Sequence, residues 1–145
     1  MTTSDKADLL KNWYQEVWGD ANLDAIMDFM APDSKAAGIF PDLTMPLDDM
    51  SDMISLVRPM LDTMTFEFKL FIEQGDWLSS IVETHCTRAD NGDPFKVISH
   101  VAVRIENNKI AEMYNSFDAL SFFEHMGQLP PDALALMLSG NKIGC

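Results

Sequence analysis

From Thr65 onward the apolar residues of this chain stop recurring at three- and four-residue steps and begin to alternate with polar ones. That switch of period limits the fold more than any other feature. Phe66, Phe68, Leu70 and Ile72 alternate with Glu67, Lys69 and Glu73, the pattern of a strand with one dry and one wet face. Gln74-Gly75-Asp76 supplies a turn. Further strands are expected over about Trp77–Arg88, Phe95–Ile105 and Lys109–Phe117, divided by Asp90-Asn91-Gly92-Asp93 and by Asn107-Asn108. Consecutive strands joined by such short turns pair antiparallel and make a meander.

The residues before the switch read as helices. Leu9, Leu10, Trp13, Tyr14, Val17 and Trp18 share one helical stripe that begins after Thr3 or Ser4 and ends near Gly19. Asn22 can cap a second helix with Leu23, Ile26, Met27 and Met30 on its apolar face, ending before Pro32. Residues 33–47, with Gly38, Pro41 and Pro46, suit a brief strand and a loop. Asp48 or Asp49 can cap a third helix whose apolar face is Met50, Met53, Ile54, Val57 and Leu61, and Pro59 should kink or end it. After the strands, Ala119–Met126 reads as a short helix. Pro130-Pro131-Asp132 opens a last one that ends at Gly140.

Helices first and a long meander afterwards is an α+β pattern. The expected shape is a cone: a strongly curved antiparallel sheet with the N-terminal helices packed on its concave face. The mouth of such a cone is a place for a small-ligand pocket. An apolar share of 47% in 145 residues suits one core, so residues 1–145 are read as one domain with its core over about 6–128 and a helical extension over 129–145. A net charge of −13 opposes binding to nucleic acid or to an anionic membrane, both of which draw affinity from Lys and Arg. The first residues lack the apolar segment of a secretory signal, and no run approaches the roughly 18 apolar residues of a membrane span. Cys86 and Cys145 have no metal-ligand spacing and read as free thiols of a cytoplasmic protein.

Several stretches carry a family resemblance. Arg104-Ile105-Glu106-Asn107-Asn108-Lys109-Ile110 followed by Tyr114 and Asp118 resembles the last hairpin of SnoaL-like polyketide cyclases, within the nuclear-transport-factor-2-like superfamily. Trp13 through Ala31, with Gly19, Asp20, Asn22 and Leu23-Asp24, is similar to the opening helix pair of that family and of ketosteroid isomerases. Thr84-His85 sits where cyclase-like members often carry Thr-His. The resemblance implies a homodimeric cone whose pocket takes a small apolar or aromatic ligand and works without metal or cofactor. It implies that Asp118 is the general acid/base. Tyr14 falls where ketosteroid isomerases keep an oxyanion-binding tyrosine, but their base aspartate would fall near Gly38 and their protonated aspartate near Ser99 or His100, so an isomerase of steroid type is a poorer match.

Strand pairing qualifies this picture. A two-residue loop at Asn91-Gly92 places Glu83 opposite His100 with His85 on the same face, and gathers Leu78, Val82, Val97, Val101, Val103 and Ile105 on the other. Alternation therefore turns His85 and His100 outward, whereas the resemblance turns His85 inward. In the next strand, pairing Ile105 with Ile110 puts Tyr114 and Ser116 inside; matching Phe117 to the pocket phenylalanine of ketosteroid isomerases puts Met113, Asn115 and Phe117 there instead. A slip of one residue separates the two.

The candidate catalytic residues are thus Asp118, His85 and Tyr14, and the candidate ligand-binding residues Trp18, Ser99, Asn115 and Phe117. The expected activity is acid/base cyclisation or isomerisation of an apolar carbonyl compound; the alternative is a non-catalytic binding or scaffold domain of the same fold. Asp118 is equally suited to cap the helix that follows it. Arg58 and Arg104 read as salt-bridge partners. Leu134, Met137 and Leu138 are expected to close the cone mouth or to reach a partner subunit.

Overall fold

The computed structural model describes residues 4–37 and 45–144. Gly38, Pro41 and Cys145, and the choice of Thr3 as a helix start, lie outside the described residues.

Helix α1, Asp5–Trp13, starts at Ser4, whose side-chain oxygen accepts the Ala7 N–H at 3.1 Å. It runs on as a wider π-helical turn over Tyr14–Gly19, so the expected end at Gly19 is correct. Ala7, Leu10, Trp13, Tyr14 and Val17 are buried along it. A 3₁₀ turn, Leu23–Ala25, leads into the short α2, Ile26–Phe29, which buries Ile26 and Phe29 and leaves Met27 exposed. Asn22 makes no side-chain cap. The chain then extends as strand β1, Met30–Ala37, which contains Pro32. β1 is at the sheet edge, where a residue without an N–H is tolerated.

Helix α3, Leu47–Val57, follows Pro46; Asp48 and Asp49 lie in its first turn rather than capping it. Its charge there still suits the helix dipole. Pro59 falls in the 3₁₀ turn Arg58–Met60 that ends the helix, as its missing donor requires.

Strands β2 (Leu61–Gln74), β3 (Trp77–Arg88), β4 (Pro94–Glu106) and β5 (Lys109–Phe117) form the expected meander, and β1 adds to β5 in parallel, giving the order β1-β5-β4-β3-β2. Asn107 and Asn108 both take positive φ, 53° and 61°, which is the geometry of a two-residue hairpin turn. Helix α4, Ala119–His125, returns along the sheet, and α5, Ala133–Leu138, packs on α4.

β3 and β4 pair without interruption, Glu83 lying opposite Ile98 and His100 opposite Ile81. The register is two residues away from the Asn91-Gly92 expectation because the turn is longer, with Arg88 N–H bonded to Asp93 O and the last pair at Thr87 and Pro94. A slip of two preserves the faces. The two neighbouring pairings are not so regular. Between Phe68 and Leu70 the pairing of β2 with β3 slips by one, so Phe66, Phe68 and Phe71 face the core while Leu70 and Ile72 face outward. Between Arg104 and Ile105 the pairing of β4 with β5 slips likewise, so Ile105 does pair with Ile110, yet Val103 pairs with Met113 and Val101 with Asn115.

The core divides into two clusters. The larger packs Leu10, Trp13, Val17 and Ile54 on Leu78, Val82, Val101, Val103 and Ile110; the smaller joins Leu61, Cys86, Phe95, Val97 and Phe122. Cys86 is a buried free thiol.

Candidate functional site

Where the two clusters meet, the concave face is hollow. A cavity of about 270 Å³ lies there, walled by Tyr14 and Trp18 of the π-helical turn, Met53 and Val57 of α3, and Phe122 and Phe123 of α4. The sheet supplies Phe66, Thr84, Cys86, Val97, Ser99, Asn115 and Phe117. Helical widening is frequent at functional sites, and here it carries both Tyr14 and Trp18 to the wall.

The wall is mostly apolar and its polar groups are few. Tyr14 is 4% exposed; its ring packs against Phe66 and Phe68, with centroids 5.1 and 5.7 Å away. Its hydroxyl is buried and lacks a hydrogen-bond partner among the described residues. Burial pushes the Tyr14 pKa far above the ordinary tyrosine value, and the nearby Ser99 hydroxyl offsets part of that rise without closing a hydrogen bond of good geometry. Tyr14 therefore stays a proton donor at any physiological pH. Asn115 Oδ1 is also buried and lacks a partner among the described residues. Burial pushes the Cys86 thiol up to about 11, with the Arg58 charge opposing, so it is a neutral thiol at pH 7.

Of the residues singled out from sequence, Tyr14, Trp18, Ser99, Asn115 and Phe117 are all brought to this cavity. The slip in β5 is what turns Asn115 and Phe117 inward; Tyr114 faces out and stacks on Trp77.

Two catalytic candidates lie elsewhere, which corrects the placement drawn from resemblance. Asp118 is exposed and caps α4, its Oδ1 accepting the Ser121 N–H at 3.1 Å. The chain leaves β5 there, and the free amides of the new helix attract the carboxylate. His85 is on the outer face, because β3 alternates unbroken; its Nε2 lies 2.9 Å from Glu83 Oε1 and 3.7 Å from Glu67 Oε2. His100 is exposed on the same face. Among the described residues, Glu67, Glu83 and His85 bring ligand atoms within 4.8 Å of one another, near enough to hold a metal ion. Lys69 neutralises the same carboxylates at 3.1 and 3.7 Å, and above all it holds the Glu67 carboxyl below its ordinary pKa.

Arg58, expected in a salt bridge, instead donates to backbone carbonyls: Nε to Trp18 O at 2.6 Å, Nη1 to Leu61 O at 2.8 Å, and Nη2 to Gly19 O at 2.9 Å. Two of those carbonyls belong to cavity-wall residues, so Arg58 ties the π-helical turn to the start of β2. Arg104 does pair with Glu112 and Glu106, at 2.8 and 3.0 Å. The α5 side chains Leu134, Met137 and Leu138 are exposed and none lines the cavity, so α5 does not close its mouth.

The wall residues that pattern reading missed include Met53, Val57, Thr84, Cys86, Val97 and the α4 phenylalanines. Met53 and Val57 were legible as a helix face and Val97 as a strand face, but nothing in a stripe marks which of its residues borders a void. Among the described residues no helix is long and apolar enough to cross a membrane.

Known structures share this architecture. A candidate polyketide cyclase from Acidithiobacillus ferrooxidans superposes with a TM-score of 0.73 at 16% identity, covering 88% of this chain and 98% of its own. IdmH, a candidate polyketide cyclase from Streptomyces antibioticus, gives 0.71 at 17%, over 83% of this chain and 97% of its own. AclR, a candidate hydroxylase from Streptomyces galilaeus, gives 0.73 at 16%, over 87% and 97%. At these identities the likeness establishes the fold alone. No curated protein is significantly similar to the chain. The SnoaL-like domain model matches residues 10–113, and with the cone fold and its pocket this places the chain in the SnoaL-like family, within the nuclear-transport-factor-2-like superfamily.

Proposed function

We propose that this SnoaL-like protein binds a compact, neutral, mostly apolar molecule in the cavity and polarises it through Tyr14, without a charged base inside the pocket. One observation carries the reading: the cavity is bordered by apolar side chains and by the unpartnered Tyr14 hydroxyl, while Asp118 and His85 are absent from its wall. A ligand displaces water from the apolar wall and supplies the partner that the hydroxyl lacks. Titration calorimetry with naphthalene as a neutral apolar probe tests it. Saturable binding is expected, weakened at least tenfold by Val97→Phe, which fills the cavity. Binding unaffected by that substitution would place the probe elsewhere and sink the reading.

A second reading keeps the cyclase or isomerase chemistry, with Asp118 as acid/base. It is favoured by the position of Asp118 between Phe117 and Ala119, both of which border the cavity. The carboxylate would have to leave its cap on Ser121 and turn inward. Amide exchange at Ser121 should then quicken when ligand binds; protection that stays the same counts against it.

Residues 1–145 acting as one domain, a cytoplasmic location and a homodimer belong to the same proposal. Leu70, Ile72, Trp77, Ile98 and Tyr114 leave apolar surface on the outer face of the sheet, which supports a second copy there. Sedimentation equilibrium giving a monomer at micromolar concentration would remove the dimer from it.

A further inference from the structure

The inference rests on the binding reading above and specifies the polar group that the ligand presents. Two buried polar atoms of cavity-lining residues lack partners among the described residues: the Tyr14 hydroxyl and Asn115 Oδ1. A buried polar group without a partner is disfavoured, and a satisfied complex therefore needs both filled. Their demands are opposite. The phenol of Tyr14 offers a proton, and the amide oxygen of Asn115 can only accept one.

Ser99 of β4 connects the two residues. Ser99 pairs with Phe117 and Val101 with Asn115, so Ser99 and Asn115 are diagonal neighbours on the inner face, and the Ser99 hydroxyl is beside Tyr14. One small group in that corner meets donor, acceptor and an adaptable hydroxyl together. A ketone or an ether accepts but does not donate, so it leaves Asn115 Oδ1 unpaired. A carboxylate brings charge to a wall that holds no free cation among the described residues, since Arg58 is engaged by the carbonyls of Trp18, Gly19 and Leu61. A neutral hydroxyl both accepts and donates.

Size narrows the choice further. At about 270 Å³ the cavity falls just below the roughly 300–1,000 Å³ of pockets for drug-sized ligands, which suits one or two rings rather than a larger fused system. We infer that the cavity selects a neutral one- or two-ring alcohol, phenol or enol over the matching ketone or ether, Tyr14 donating to its oxygen and Asn115 Oδ1 accepting its proton.

Titration calorimetry at pH 7 with 2-naphthol, 2-methoxynaphthalene and naphthalene compares a donor-acceptor oxygen, an acceptor-only oxygen and none on one ring system. For the wild-type protein, 2-naphthol should bind about fivefold or more tightly than 2-methoxynaphthalene, the scale of one net buried hydrogen bond. Asn115→Leu should close that gap, and Tyr14→Phe should bring 2-methoxynaphthalene to the affinity of naphthalene while 2-naphthol keeps its bond to Asn115. The wild-type series decides the matter even if a variant folds poorly. If 2-naphthol binds no tighter than its methyl ether, the hydroxyl inference fails while the binding reading stands. If none of the three binds to folded protein, both fail.

Discussion

The central strands and their neighbours obey different rules. β3 and β4 hold one register from Trp77–Arg104 to Thr87–Pro94, and every buried side chain of β4 is an alternate one. On either side, β2 slips by one residue at two places against β3, and β5 slips by one residue at one place against β4. The regular pair builds the packed floor under α1, where Leu78, Val101 and Val103 are at most 1% exposed. The irregular strands curve the sheet and select which side chains reach the cavity. Regular pairing thus supplies the packed floor and four wall residues, Thr84, Cys86, Val97 and Ser99, and the slips decide which side chains of the flanking strands face inward.

The sharpest way to break that contrast is to delete Tyr114, which stands between the β5 slip and the cavity residues Asn115 and Phe117. Without it, alternation carried on from Met113 would turn Asn115 and Phe117 outward. A loss above about 3 kcal/mol in urea unfolding is expected, together with loss of 2-naphthol binding. A deletion that leaves both intact would mean that the register of β5 does not set the wall.

Next in size, Leu78→Ala on the regular floor should cost about 3 kcal/mol, whereas Ile72→Ala, beyond the β2 slip, should cost less than about 0.5 kcal/mol. Leu78 is 1% exposed and Ile72 62%. Equal losses in matched denaturant titrations would contradict the assignment of faces.

The Cys86 thiol sharpens the contrast by pH. Its folded pKa, about 11, exceeds the ordinary value of 9.0, so its contribution is fully present below pH 9. As pH rises from 9 to 11 the unfolded chain ionises first, and stability falls by ~2 kcal/mol at most, at about 1.4 kcal/mol per pH unit. Tyr14 is raised too, so the comparison must be with Cys86→Ala: the difference between the two melting-temperature profiles should open above pH 9. Parallel profiles would mean that the thiol is not held neutral by burial.

A smaller effect than that of the thiol is expected at the end of β5. Asp118→Ala removes the cap on Ser121 and should cost about 1 kcal/mol, read by thermal unfolding. No loss at all would mean that α4 does not depend on this carboxylate.

Much of this fold was legible in residues. The period change at Thr65 announced the meander, Asn107-Asn108 its last turn, Pro59 the end of α3, and the Tyr14–Trp18 stripe a wall of the core. The two-residue error at the β3–β4 turn did no harm, because a shift of two leaves inside and outside unchanged. His85 was the instructive conflict: alternation along β3 pointed it outward and family likeness inward, and local geometry prevailed where no slip intervened. Asp118 carried two readings from the start, and the cap is the one its backbone position satisfies.

By itself, then, the sequence determined the α+β class, the order of elements and the faces of the regular strands, because periodicity and turn chemistry act over a few neighbouring residues. Only the tertiary structure decided which side of β5 meets the helices, that Leu70 and Ile72 turn out, and where the two clusters fail to fill the space between them. Those outcomes depend on slips that a curved sheet makes to stay packed against α1, α3 and α4. No single strand encodes that demand in its own alternation.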